Sequence, residues 1–246
     1  MAKSKEPLNV KWSRDLPGEP SSIAISKDCA DRYFVSCLCE FEPEVLPVTA
    51  KMTGIDLGLT HFAIEDDGTK HRNPRFTKKY ERKLAKAQRV LSRKKLGSRN
   101  RAKAKIKVAR VHAKISDSRL DRLHKLSRKL INENQVVCIE SLKVKNMIRN
   151  PRLSKAIADA SWGEFVRQLE YKGEWAGRTV VKIDQWFPSS KRCSSCSHIV
   201  DKLPLNIREW TCPSCGTELD RDINAAKNIK RQGMSLIAFG ENVSVA

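Results

Sequence analysis

Two cysteine pairs near the end of the chain constrain its fold more than any other feature. Cys193-x-x-Cys196 and Cys212-x-x-Cys215 are separated by fifteen residues. That is the spacing of a zinc ribbon, in which two thiolate hairpins close a tetrahedral site. Four thiolates leave no open coordination position, so the one zinc ion expected here is structural. The run Leu219-Asp220-Arg221-Asp222-Ile223-Asn224-Ala225-Ala226 follows at once. It places acids at what reads as a helix start, with small residues behind them suited to close packing on a sheet.

The chain has 246 residues, of which 40% are hydrophobic, enough for one large domain or one domain with small insertions. Its 48 Lys and Arg against 28 Asp and Glu leave a net charge of +20. Such a surplus favours a polyanion, bound through phosphate neutralisation and counterion release. A long apolar run is absent, and Met-Ala-Lys-Ser-Lys-Glu-Pro at the start lacks an apolar signal core. The expectation is a cytoplasmic protein with no membrane partner. Four of the eight cysteines are paired at ligand spacing, which argues against a disulfide framework. Cys29, Cys37, Cys39 and Cys138 read as buried free thiols.

Residues 1–20 read as a loosely ordered start. Strand patterns at Ile23–Ser26 and Tyr33–Glu40 flank a turn at 27–31 and have no third partner. Met52–Leu59 is a buried-type strand, Phe62–Ile64 a second, and Asp66-Asp67-Gly68-Thr69 a turn after it. Between 70 and 131 the apolar residues Phe76, Tyr80, Leu84, Ala87 and Leu91, then Val111, Ile115, Leu123, Leu126 and Leu130, fall at helical spacing. The spacing predicts a long antiparallel helical hairpin over 74–131 with its tip near 97–101.

About half of all basic residues lie in this hairpin, with few acids against them. A charge-rich helix is ordinarily a solvated face laced with salt bridges. Here the acids for such bridges are missing, which favours nucleic-acid backbone binding. The candidate contacts are Lys79, Lys83, Lys86, Arg89, Arg93, Lys94, Lys95, Arg99, Arg101, Lys103 and Lys105. Further on, Gln135–Leu142 reads as a buried strand and 143–154 as a basic loop. Ala158–Gly177 reads as a helix with Trp162, Phe165, Leu169 and Trp175 near one face, and Thr179–Trp186 as a strand. The final helix is expected over about Asp222–Gln232, with a loose tail over 233–246.

Three acids stand apart. Asp56 lies inside the apolar strand Thr53-Gly54-Ile55-Asp56-Leu57-Gly58-Leu59, where a charge is costly unless paired or metal-bound. Gly54 and Gly58 leave room for close approach of a ligand or of backbone. Glu140 closes the strand Val136-Val137-Cys138-Ile139. Asp222 opens the last helix, although Asp220 or Asp222 could equally be a helix cap. Taken singly, each has a structural explanation. Together they sit at element ends that can converge at one edge of a sheet. Three converging carboxylates repel one another, and two magnesium ions roughly 3.5–4 Å apart would relieve that and act on a phosphodiester.

The runs Gly54-Ile55-Asp56-Leu57-Gly58, Ile139-Glu140-Ser141-Leu142 and Asp220-Arg221-Asp222-Ile223-Asn224-Ala225-Ala226 resemble the three RuvC motifs of the TnpB/OrfB family. These are transposon-encoded relatives of the type V CRISPR effector nucleases. Trp162-Gly163-Glu164-Phe165 and Phe187-Pro188-Ser189-Ser190-Lys191-Arg192-Cys193 match further. The resemblance runs from about Lys11 to Gln232. It implies an α/β, RNase H-like (RuvC) mixed sheet with the basic hairpin and a zinc ribbon inserted. It also implies a noncoding guide RNA, magnesium-dependent DNA cleavage, catalytic Asp56, Glu140 and Asp222, and zinc on the four cysteines.

The implied organisation is a short N-terminal segment at 1–50, a nuclease core at 51–186, the ribbon at 187–218 and the last motif, helix and tail at 219–246. Members of that family carry a sizeable region before the first motif, a wedge-like β barrel with a helical insert, whereas about fifty residues precede Asp56 here. Two function classes follow: a DNA endonuclease, or a nucleic-acid-binding regulator descended from one that does not choose targets itself.

Overall fold

The computed structural model describes residues 9–240. The described residues up to Pro43, together with Tyr80–Lys114, form one compact unit. Glu44–Lys79 with Ile115 onward form a second.

In the first unit β1 (Pro20–Lys27) and β2 (Tyr33–Cys39) pair antiparallel as a two-stranded sheet. The turn between them is held by Asp28, whose Oδ1 accepts from the backbone N–H of Ala30 and Arg32. Every residue of β1 is exposed. Cys29 is exposed, and Cys37 and Cys39 are only half buried, so three of the four predicted buried thiols are not buried. A ribbon of two strands has no second layer to cover them. Of these four, Cys138 in the main sheet is buried.

The hairpin helices are α1 (Phe76–Ser92) and α2 (Arg99–Glu133). They are joined by a turn in which Gly97 takes φ +75°. No residue of α1 is buried. Arg101 closes the hairpin tip by donating from Nη1 to the carbonyls of Leu91 (3.0 Å) and Lys94 (3.1 Å).

The second unit is built on a five-stranded mixed sheet. Its strands are β3 (Met52–Leu57), β4 (His61–Glu65), β5 (Lys70–Arg72), β6 (Val136–Glu140) and β7 (Thr179–Ile183), in spatial order β5-β4-β3-β6-β7. The first three pair antiparallel, whereas β6 lies parallel to β3 and β7 parallel to β6. Strand β5 has three residues and too little pattern to announce itself.

The period of two in each strand sorts residues between two helical layers. Ile55, Leu57, Val137, Ile139 and Val180 join one cluster with Leu123, Leu130, Phe165 and Leu169. Val136, Cys138, Val181 and Ile183 join another with Ile229 of the last helix, α6 (Arg221–Ala238).

Four boundaries differ from expectation. The predicted strand 179–186 ends at Ile183 as β7, and Trp186 lies in the turn that follows. A short helix, α3 (Val144–Met147), occupies the predicted basic loop. The predicted single helix at 158–177 is two, α4 (Ser154–Ala160) and α5 (Trp162–Ala176), broken at Ser161 with φ +56°. Helix α6 continues six residues past Gln232, because Met234, Leu236 and Ile237 still pack on the second cluster. The last part of the predicted tail, 241–246, lies outside the described residues.

Gly54 shows how tightly α6 is seated. A Cβ there would collide with the carbonyl of Ala226 and lie 2.5 Å from the backbone nitrogen of Lys230. Backbone cannot give way as a flexible side chain can. Gly54→Ala is therefore expected to destabilise the fold by about 3 kcal/mol, the upper end of overpacking costs, measurable by urea denaturation.

Candidate nuclease site and its metal-binding ribbon

Register places two of the three predicted carboxylates side by side. Gly54 pairs with Cys138 and Ile55 with Ile139, so Asp56 and Glu140 follow as the next neighbours on adjacent parallel strands, which run about 4.8 Å apart. Parity fixes the face. Ile55, Leu57, Val137 and Ile139 point to one layer, so Asp56 and Glu140 point to the other, toward α6.

The helix supplies the third. Residues four apart share a helix face, and the backbone of Ala226 and Lys230 lies over Gly54. One turn earlier comes Asp222, over Asp56. The electrostatics agree. Asp56 is held well above the usual carboxylate range, first by burial and then by the negative charges of Glu140 and Asp222. Burial also raises Glu140, against a hydrogen bond from the Ser189 hydroxyl at 2.5 Å.

Asp220 and Asp222 have separate duties. Asp220 is the cap of α6, its Oδ1 accepting from the N–H of Asp222 (2.9 Å) and Ile223 (3.0 Å), while Lys70 bonds its other oxygen. The carboxylate of Asp222 is met by the guanidinium of Arg208 at 3.3 Å. Among the described residues, the only group of three or more potential ligands whose atoms all lie within 4.8 Å of one another is the cysteine set. Asp56, Glu140 and Asp222 do not form a second such group.

The ribbon meets a stricter geometric test. Cys193 Sγ lies 3.7 Å from Cys215 Sγ, and Cys196 Sγ 3.6 Å from Cys212 Sγ. A tetrahedral site with Zn–S of about 2.3 Å requires sulfurs about 3.8 Å apart. The donor set therefore fits a tetrahedral thiophilic cation and not a disulfide. The Thr217 hydroxyl beside Cys215 brings that thiol down to about 6, into the thiolate form that binds metal.

Two short strands, β8 (Glu209–Thr211) and β9 (Glu218–Asp220), flank the second cysteine pair, and β9 runs straight into α6. Residues with no role assigned from sequence weld ribbon to helix. Asn224 accepts from the N–H of Ser194 and donates to the Arg192 carbonyl. Asn228, one turn on, donates to the Ser189 and Arg192 carbonyls. Arg231, on the same helix face, donates from Nη2 to the Ser194 carbonyl at 2.7 Å.

Of the eleven predicted nucleic-acid contacts, ten are exposed, and Arg101 is half buried at the hairpin tip.

The sequence matches the OrfB_IS605 transposase family over residues 36–151 and the Cas12f1-like TNB domain over 162–229. It is 50% identical over 245 residues to a Streptomyces pristinaespiralis protein provisionally named an RNA-guided DNA endonuclease, covering 99% of this chain and 61% of that protein. The chain belongs to the TnpB/OrfB family. A second relative, the similarly named InsQ of Escherichia coli K12, is 34% identical over 96% of this chain and 62% of its own. The chain thus spans about three-fifths of the length of these relatives. In a cryo-EM structure of a Cas12f1–sgRNA–target DNA complex, a chain 17% identical superposes with a TM-score of 0.50 over 85% of this chain and 55% of that one. This likeness concerns the fold. No helix among the described residues is long and apolar enough to cross a membrane.

Proposed function

We propose that this chain carries the RNase H-like (RuvC) catalytic core and zinc ribbon of a transposon-encoded, RNA-guided DNA endonuclease. What supports the reading is the place of Asp56 beside Glu140 on adjacent parallel strands, with the negative charges of Glu140 and Asp222 adding to burial in raising Asp56. The names of its relatives and the sheet order, three antiparallel strands followed by two parallel ones, support it.

In this reading Asp56 is the central ligand, flanked by Glu140 and Asp222. Bound magnesium ions would supply an activated water and stabilise the leaving oxygen of the phosphodiester. Ser189 orients Glu140 by its hydrogen bond. Arg208 offsets the charge of Asp222 until a cation or phosphate takes that place. The cysteines hold one zinc ion and have no part in the chemistry. DNA and a noncoding guide RNA are the partners, and the exposed lysines and arginines of the hairpin bind their phosphates.

The test is cleavage of single-stranded and guide-matched duplex DNA by the purified chain, with magnesium and with EDTA. Cleavage that needs the metal and all three acids supports the proposal. A folded, zinc-loaded protein inert with every guide and metal tried would overturn it. The hairpin has its own readout. Lys83, Lys86 and Arg89 are exposed on α1. Changing all three to Glu is expected to reduce the slope of log K against log salt by about 2.7 on duplex DNA, ~0.9 per lost phosphate contact.

A further inference from the structure

Trp186 is 81% exposed. Single exposed apolar residues are common and need no special cause. Trp186 differs in how it is held and where. Its backbone N–H donates to Asp184 Oδ1 at 2.7 Å, and the N–H of Phe187 closes the same turn on the Asp184 carbonyl. With the Gln185 amide turned so that its oxygen faces donors, that oxygen accepts from Trp186 Nε1 at 3.0 Å and from Lys143 Nζ at 2.9 Å. The indole is therefore pinned at its polar edge, and its faces remain in solvent.

The location follows from the chain on both sides. Three residues before Trp186, Ile183 is the strand partner of Glu140. Three residues after it, the Ser189 hydroxyl bonds the Glu140 carboxylate. The loop leaves Glu140 and returns to it, with Trp186 near its apex. Three residues reach at most about 10 Å, so the ring stands within a nucleotide or two of the carboxylates. Lys143 and Gln185 also wall a cleft of about 460 Å³ that extends to Glu140, which gives a strand room to pass.

We propose that Trp186 is a stacking platform for an unpaired base of single-stranded DNA, next to the phosphate engaged by Asp56, Glu140 and Asp222. This rests on the nuclease reading and adds a positioning residue to it. Aromatic faces take any base because every base has a π-face, and only a base outside a duplex can offer that face. Lys143, at the edge of the ring, gives the adjoining phosphate a cation. Tethering the base this close to the carboxylates sets which phosphate reaches them.

The experiment uses the full chain as the Asp56→Asn variant, without magnesium, so that binding is read apart from cleavage. Single-stranded oligonucleotides carry 2-aminopurine at successive positions. Stacking on Trp186 is expected to quench fluorescence at one or two adjacent positions. Adding Trp186→Ala should abolish that quench and weaken binding about 5- to 150-fold, the range for one base–aromatic stack. Trp186→Phe should restore most of both. A quench pattern or affinity unchanged in Trp186→Ala overturns the proposal. Failure of the nuclease reading would show instead as absent magnesium-dependent cleavage by the unmutated chain, a separate measurement.

Discussion

Replacing Cys212 with serine is expected to strip the ribbon of its metal, from one zinc per chain to almost none, and to lower cleavage without dissolving the sheet. The ribbon's own apolar core is minimal: Cys193, Cys212 and Leu219, with Trp210 packed against them. Two of those three buried residues belong to the four-thiol cluster itself. So small a cluster cannot order some thirty residues unaided, and the metal must supply most of the stabilisation. Structural zinc in small modules is worth about 10–16 kcal/mol at neutral pH. Serine is a poor substitute for a thiolate, and Cys212 is 1% exposed, so no other side chain can take its place.

The consequence reaches Asp222 through covalent continuity. Strand β9 ends at Asp220, the cap of α6, and Asp222 is in the first turn. Losing β8–β9 pairing frees that cap and the Arg208–Asp222 contact. Beyond the first turn the helix is secured by Ala225, Ala226 and Ile229, all buried. The far-ultraviolet spectrum should therefore change little, whereas limited proteolysis should cut between 187 and 220. Undiminished zinc by elemental analysis, or a proteolytic pattern like that of the parent chain, would contradict this account.

Much of this was legible because its cause is local. Cysteine spacing marks the ribbon, and alternating and helical periods mark β3, β6, α2 and the start of α6 to within a few residues. Asp56 and Glu140 stood out because a charge inside an apolar run needs a reason. What sequence did not yield depends on distant partners. Strand β5 exists because β4 has a free edge. The break at Ser161 is a change of direction that periodicity cannot register. Cys37 and Cys39 look buried by composition, yet the ribbon they belong to has no layer over it. Asn224 reads as one of the small residues behind Asp222, and only the docked ribbon shows what it and Asn228 hold. Trp175, placed on the apolar face by spacing, is 41% exposed and meets Tyr171 edge-on instead.

The sharpest expectation concerns Asp56→Asn, which should make the metal-free protein more stable and the enzyme inactive. Asp56 and Glu140 are both raised in the folded chain, chiefly by burial. In the unfolded chain such groups ionise near pH 4. Folding thus favours their protonated forms. Their contribution to stability is complete below about pH 4 and is lost as pH rises through the folded values. Toward neutral pH the pair therefore opposes folding, relative to acid. Asparagine keeps the shape, removes one charge and offers an N–H to its acidic neighbours. The melting temperature without metal should rise at neutral pH, by about 2–4 °C for each ~1 kcal/mol relieved, and the gain should vanish near pH 4. Magnesium should stabilise the parent chain more as pH rises, because ligands must be deprotonated to bind it, and should stabilise the variant far less. Cleavage should fall by at least about 10²–10³-fold, the usual cost of removing one preorganised electrostatic group. Equal magnesium-induced shifts in both proteins would mean that Asp56 does not bind the ion. A variant less stable than the parent at neutral pH would mean that its carboxylate is a structural hydrogen-bond acceptor, and the three acids would then lose their claim to a shared site.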